Sequence, residues 1–253
     1  MPLFGVRDVT PLLKDAPLME GLDTEPETLS GVEVLQVMFE IASDAMLDLL
    51  PRALNPTIPP TATFVFWRCP DGPLGPFSLA QVRVGCRAGV RPRGFLLQAY
   101  CEGEPAAAAL ATRWGFACRP GAVRLRRFYD RIVGTVEADG RPILQVSLVD
   151  PQVIVGVEIQ YTANMNLARV RGAEGERVRL VQVDPEYTLR RTDRGRPQLD
   201  VFVPEAWHAA GLTPVYPVSA SAAVCDLTLP RIRYIVDPDV PALQGTEQVR
   251  RQA

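Results

Sequence analysis

Apolar and polar residues alternate along most of this chain. Residues 61–69 (TATFVFWRC), 77–89 (FSLAQVRVGCRAG) and 93–101 (RGFLLQAYC) change character at nearly every second position. So do 122–130, 131–139 and 142–150. Each run is bounded by Gly, Pro or Asp, which predicts short antiparallel strands, with Asp139-Gly140-Arg141 as a hairpin turn. Later runs at 155–166, 177–192, 198–203 and 224–236 read the same way, and Glu158, Gln160 and Thr162 would form one polar strand face. Ahead of them, GVEVLQVMFEIA (31–42) mixes β-branched and apolar residues as a strand does.

The period changes in two places. Ser43 to Leu50 opens on a Ser43/Asp44 cap and stops at Pro51, and Glu104 to Arg113 places Pro105 in the first turn of an Ala-rich helix. Residues 204–212 add a short helical piece. The expected organisation is an arm (1–30), one α+β, mostly β domain (31–240) and a tail (241–253), a size that allows a large core.

Composition narrows the function classes. A net charge of −2 gives no electrostatic case for nucleic acid, and Arg124, Arg126 and Arg127 alternate with apolar residues as the wet face of a strand would. No apolar run approaches the ~18–20 residues of a membrane helix, and the start lacks a secretory pattern. The five cysteines show no CxxC spacing, so a reduced, cytoplasmic protein is expected, without a membrane partner. The one histidine, His208, excludes a three-histidine metal site and reads as a surface residue. Among 27 basic residues the only lysine is Lys14.

Residues 94–136 resemble the core of acetoacetate decarboxylases, most specifically in Tyr100-x-x-x-Glu104-Pro105-Ala106 and Ile132-Val133-Gly134-Thr135-Val136. SDAMLDLLPRAL upstream and AVCDLTLPRIRYIV downstream extend the resemblance over residues 30–236. It implies a closed, cone-shaped antiparallel β-barrel with a few short helices around a small, water-poor pocket. In that family a Schiff-base lysine and a second lysine follow a Gly-Phe/Tyr-Pro. Here the segment reads Gly115-Phe116-Ala117-Cys118-Arg119. An imine needs a primary amine, and a guanidinium cannot replace it. Decarboxylation through an imine is therefore excluded.

Carried over position by position, the resemblance puts Leu79 and Phe64 where the family has pocket acids, and Val32 near its carboxylate-binding arginine. The Gly-Arg-Glu triplet after the helix becomes Leu110-Ala111-Thr112. Charged groups stranded in a dry cavity cost several kcal/mol, so these apolar replacements fit a pocket recast for an apolar ligand, or a core filled after function was lost. Two readings stay open. One is a cofactor-independent, homo-oligomeric enzyme of specialised metabolism that encloses a hydrophobic, polyketide-like molecule and promotes cyclisation, pericyclic steps included, or dehydration. Arg119 and Cys118 would be catalytic there, and Val32, Phe64, Leu79, Gln98, Tyr100, Trp114 and Phe116 would bind substrate. The other is an inactive homologue that binds a small molecule or serves a structural role.

Overall fold

The computed structural model describes residues 3–172 and 175–250. Its strands are β1 (Leu18–Met19), β2 (Glu27–Ile41), β3 (Asn55–Pro56), β4 (Thr61–Cys69), β5 (Phe77–Arg87), β6 (Pro92–Glu102), β7 (Cys118–Pro120), β8 (Ala122–Arg127), β9 (Arg131–Ala138), β10 (Arg141–Val153), β11 (Ala163–Gly172), β12 (Gly175–Val183), β13 (Glu186–Phe202), β14 (Pro214–Leu229), β15 (Tyr234–Val236) and β16 (Thr246–Gln248). The helices are α1 (Ser43–Leu49), α2 (Glu104–Trp114) and α3 (Ala242–Gly245). Hydrogen bonds join the strands in the order β16-β15-β12-β11-β6-β5-β4-β2-β14-β13-β10-β9-β8, with β1 beside β11, β3 beside β5 and β7 beside β6. Pairing is antiparallel except at β1–β11, β6–β11 and β6–β7. The architecture is the mostly β fold expected, with one difference: the path starts at β16 and ends at β8, so hydrogen bonds do not close the ring. Instead β8 packs back over β4, β5 and β6.

The alternation read in the sequence sorts side chains into two cores. Phe64, Phe66, Phe95, Tyr100 and Trp207 belong to one. Val65, Trp67, Leu79, Trp114 and Phe116 belong to the other. Neighbouring residues of β4 thus face different clusters, as the two-residue strand period demands.

Helix α2 ends where the sequence changes sign. Gly115 adopts φ 70°, its amide donates to the Ala111 carbonyl, and the Phe116 amide reaches back to Leu110. This left-handed cap turns the chain sharply into β7. A Cβ on Gly115 would lie 3.1 Å from that of Ala168, so the glycine serves both conformation and close packing.

Three stretches differ from the sequence reading. Strand β2 begins at Glu27 rather than residue 31. Before it, Val9, Leu12, Ala16 and Met19 are buried, and the Arg169 amide bonds the Pro17 carbonyl. Residues 156–158 form a 3₁₀ helix rather than a strand, and β11 starts only at Ala163. The Gln160 carbonyl takes its bond from the Gln36 side chain and the Thr162 carbonyl from Arg83. With side chains satisfying these backbone groups, no ladder is needed there. The piece after Val203 is a 3₁₀ helix, Pro204–Trp207, with Trp207 fully buried. No helix among the described residues is long and apolar enough to cross a membrane.

Candidate functional site

Strand β7 sets the geometry. It pairs in parallel with β6, placing Cys118 beside Ala99 and Arg119 beside Tyr100. Successive residues of a strand face opposite sides, so Cys118 and Arg119 part company.

The Arg119 guanidinium donates to Asp15 Oδ2 at 2.7 Å and lies 3.2 Å from His208 Nε2. The same carboxylate oxygen is 2.9 Å from His208 Nε2. Three residues from distant segments therefore meet at one oxygen. His208 ends the Pro204–Trp207 helix with φ 53°, a left-handed conformation that costs free energy outside glycine but is better tolerated by histidine than by most residues. Arg7 holds the turn by donating to the His208 carbonyl at 2.8 Å. Tyr100 stands beside Arg119 in the β6–β7 register, and its phenol donates to the Ala206 carbonyl at 2.9 Å. His208 is not at the surface as the sequence suggested: its side chain is 17% exposed.

The charges are coupled. Burial opposes ionisation of Asp15, yet hydrogen bonds from Arg119 and His208 hold its carboxyl below the usual range. Burial, helped by Arg119 and Arg7, lowers His208 below 6.5 and outweighs the pull of Asp15. Burial also works against Arg119, but Tyr100 and Asp15 raise it on balance. The site at neutral pH is a carboxylate, a guanidinium and a neutral imidazole. With an acceptor against Nε2, that nitrogen carries the proton and Nδ1 is left as the base.

Beside the cluster lies a cavity of about 10 Å³ lined by Asp15, His208, Leu97, Gln98, Ala117 and Leu167. That is room for one water. Gln98 donates to the Ala99 and Ala117 carbonyls, and its Oε1 has no partner.

The structure thus sets Arg119 and Tyr100 at the charged cluster and Gln98 in the cavity beside it, and separates the other candidates. Val32, Leu79, Trp114 and Phe116 pack fully buried in one core. Phe64 packs in the other, edge-on to Phe202 at 5.2 Å and Phe39 at 6.1 Å. None of these five lines the cavity. Cys118 lies beside the Cys101 thiol, which together with burial pushes its own thiol well above the usual range. The neighbouring arginine does not activate it, because Arg119 points to Asp15. Sequence reasoning missed Asp15 and misplaced His208. The one available signal was that the only histidine follows a tryptophan in a short helical piece, beside a buried anchor.

The acetoacetate decarboxylase (ADC) family model matches residues 15–238. No curated protein matches the chain. Among solved structures, acetoacetate decarboxylase from Legionella pneumophila is similar with a TM-score of 0.72 at 19% identity, covering 83% of this chain and 86% of that one. The enduracididine biosynthesis enzyme MppR, complexed with the condensation product of pyruvate and imidazole 4-carboxaldehyde, gives 0.67 at 17%, covering 84% and 90%. An acetoacetate decarboxylase-like enzyme from Sphingomonas wittichii RW1 gives 0.66 at 14%, covering 83% and 92%. At these identities the likeness is one of fold.

Proposed function

From the premise that this chain belongs to the acetoacetate decarboxylase family yet has Cys118 and Arg119 at the positions of the lysine pair, we propose that it is an imine-independent lyase dehydrating a small carbonyl compound. His208 Nδ1 takes the proton from the carbon next to the carbonyl. Arg119 binds the enolate oxygen as charge builds on it. The β-hydroxyl then departs with the proton that His208 returns, leaving as water, and a carbon–carbon double bond remains. Asp15 fixes the histidine tautomer and balances the imidazolium. The observation that carries this reading is the meeting of His208 and Arg119 on one oxygen of Asp15, beside a cavity.

Of the two reactions expected from the sequence, dehydration gains support, because it needs an acid–base pair and the cluster supplies one. Cyclisation of a folded, polyketide-like molecule loses support. Sites for drug-sized ligands are about 300–1,000 Å³, whereas the cavity here is about 10 Å³ and the apolar candidates pack against one another. Even a small substrate needs more room than this, so Leu12 and Ala16, which also line the cavity, have to move while Asp15 keeps its hold on His208 and Arg119. The relatives support carbonyl chemistry in this fold: MppR is complexed with a pyruvate condensation product. The filled interior also favours a second reading, a non-catalytic binding or structural homologue.

Proton–deuterium exchange separates the two. Small 2-oxo, 3-oxo and 3-hydroxy acids and ketones incubated with the protein in D₂O are followed by proton NMR. The wild type is expected to exchange α-protons of at least one compound above the buffer rate. His208→Asn, which tolerates the left-handed backbone, and Arg119→Ala should each slow exchange by about 10- to 1,000-fold. Borohydride should trap no adduct. Exchange that persists unchanged in His208→Asn, or an adduct on Lys14, would overturn the mechanism. No exchange with any compound would leave the non-catalytic reading in its place.

A further inference from the structure

A second polar constellation lies away from His208, inside the sheet. Arg83 on β5 is 1% exposed. Its NH1 donates to the Thr162 carbonyl at 2.9 Å and to Asn164 Oδ1, both neutral. Asn164 in turn donates to Gln81 Oε1 at 2.8 Å. Two buried donors of this connected network have no partner, Arg83 Nε and Gln81 Nε2. Among the described residues no carboxylate pairs with Arg83. Burial lowers its pKa to about 10, which leaves it a cation at neutral pH.

The fold makes room for this cation. Gly94 faces Gly85 of β5 and stands beside Asn164 in the parallel β6–β11 register. A Cβ on Gly94 would lie 3.0 Å from Arg83 Cβ, 3.1 Å from Cδ and 3.4 Å from Nε. Glycine at this position lets the guanidinium cross β6 and reach β11. A sheet that clears a lane for a buried cation and surrounds it with amides, rather than an acid, has left the countercharge to come from outside. A water would fill an empty donor but not balance the charge.

We propose that Arg83, Gln81 and Asn164 form an internal seat for a small monovalent anion, of halide or formate size. Both unpartnered groups are donors, which suits an anion and not a metal ion. Entry is from a cleft of about 330 Å³ lined by Arg91, Arg93, Gln160, Tyr161, Thr162 and Asp184. Its floor includes Thr162, whose carbonyl Arg83 holds. Arg93 spends its charge on Asp184, with Nε at 3.2 Å, so Arg91 and Arg83 leave the route positive and attractive to anions. This site does not depend on the lyase reading.

The test is thermal unfolding at constant ionic strength, with sodium gluconate replaced stepwise by bromide, nitrate, formate or acetate. Saturable stabilisation by bromide and formate alike would support a seat that reads charge and size. Stabilisation by formate and acetate alone would support one that reads a planar carboxylate. In Arg83→Met the dependence should vanish, and in Gln81→Leu the half-effect concentration should rise at least tenfold. Should Arg83→Met fail to fold, anomalous diffraction from wild-type crystals grown in bromide decides. A bromide within hydrogen-bonding reach of Arg83 Nε supports the proposal. A water there in place of bromide, or melting curves indifferent to every anion, would overturn it.

Discussion

Replacing Asp15 by Asn tests the cluster at its centre. The change keeps shape and removes one charge. In the wild type Oδ2 takes Arg119 at 2.7 Å and His208 at 2.9 Å. Hydrogen bonds to charged groups contribute about 1.5–3 kcal/mol when sheltered and well under ~1 when exposed. The Arg119 and Asp15 side chains are 33% and 26% exposed, so a loss of about 1–2 kcal/mol is expected, or about 2–8 °C in Tm for a domain of this size. The pH dependence is more diagnostic. The Asp15 carboxyl is held below 3.8 in the folded protein, so its contribution is fully present above the unfolded value and is lost as pH falls through the folded one. His208 has a folded pKa below 6.5, so the unfolded chain binds more protons in the window just under 6.5 and stability falls on acidification there. Removing the carboxylate deepens that depression. The gap between wild type and Asp15→Asn should widen as pH drops from 7 towards 5, then close as Asp15 itself protonates. Calorimetric melts from pH 3 to 8 measure it. A gap that is constant over this range, or absent at pH 7, would refute the coupling of these three groups.

Two further expectations follow from packing and burial. Because Cys101 and burial raise the Cys118 thiol, iodoacetamide should label Cys118 at pH 8 at least about tenfold more slowly than a small free thiol. Mass spectrometry of the labelled peptide checks this, and labelling at the free-thiol rate would show an activated cysteine after all. A Cβ on Gly134 would lie 2.6–2.8 Å from three ring atoms of the fully buried Phe66, so Gly134→Ala should cost about 1–3 kcal/mol and a pairing with Phe66→Leu should recover part of it. Unchanged melting of the single variant would mean that the ring moves freely.

What the sequence made legible was local. The alternation in 61–101 located β4, β5 and β6, and the Pro105 start with its Ala-rich body located α2, because two-residue and helical periods are short-range signals. The position of the missing lysines pointed to β7, and through Arg119 to the site. Alternation could not say which strand face a polar residue serves. Arg83, in the run QVRVGCR, looks like any wet-face arginine, and its burial follows only from Gly94 and Asn164 on other strands. The alternation of Glu158, Gln160 and Thr162 imitated a strand, but Gln36 and Arg83 satisfy the backbone there instead. Nor could local pattern place His208, whose partner Asp15 lies in the stretch read as an arm. Apolar replacements at Val32, Phe64 and Leu79 fitted one pocket recast for an apolar ligand or one filled core, whereas Phe64 faces a different core from the other two.

The separation of the site's residues along the chain also bears on when the site comes into being. Asp15 lies 104 positions from Arg119 and 193 from His208. At a synthesis rate of about 5–20 residues per second, Asp15 leaves the ribosome ~10–40 s before its histidine. During that interval Val9, Leu12 and Ala16 have only a growing part of their core to enter, one still lacking Ala209 and Leu212, and they offer chaperones an apolar handle. No shorter nascent fragment holds the complete constellation. A ribosome stalled just before residue 208 would therefore carry a chain with most of its strands but none of the chemistry proposed for them.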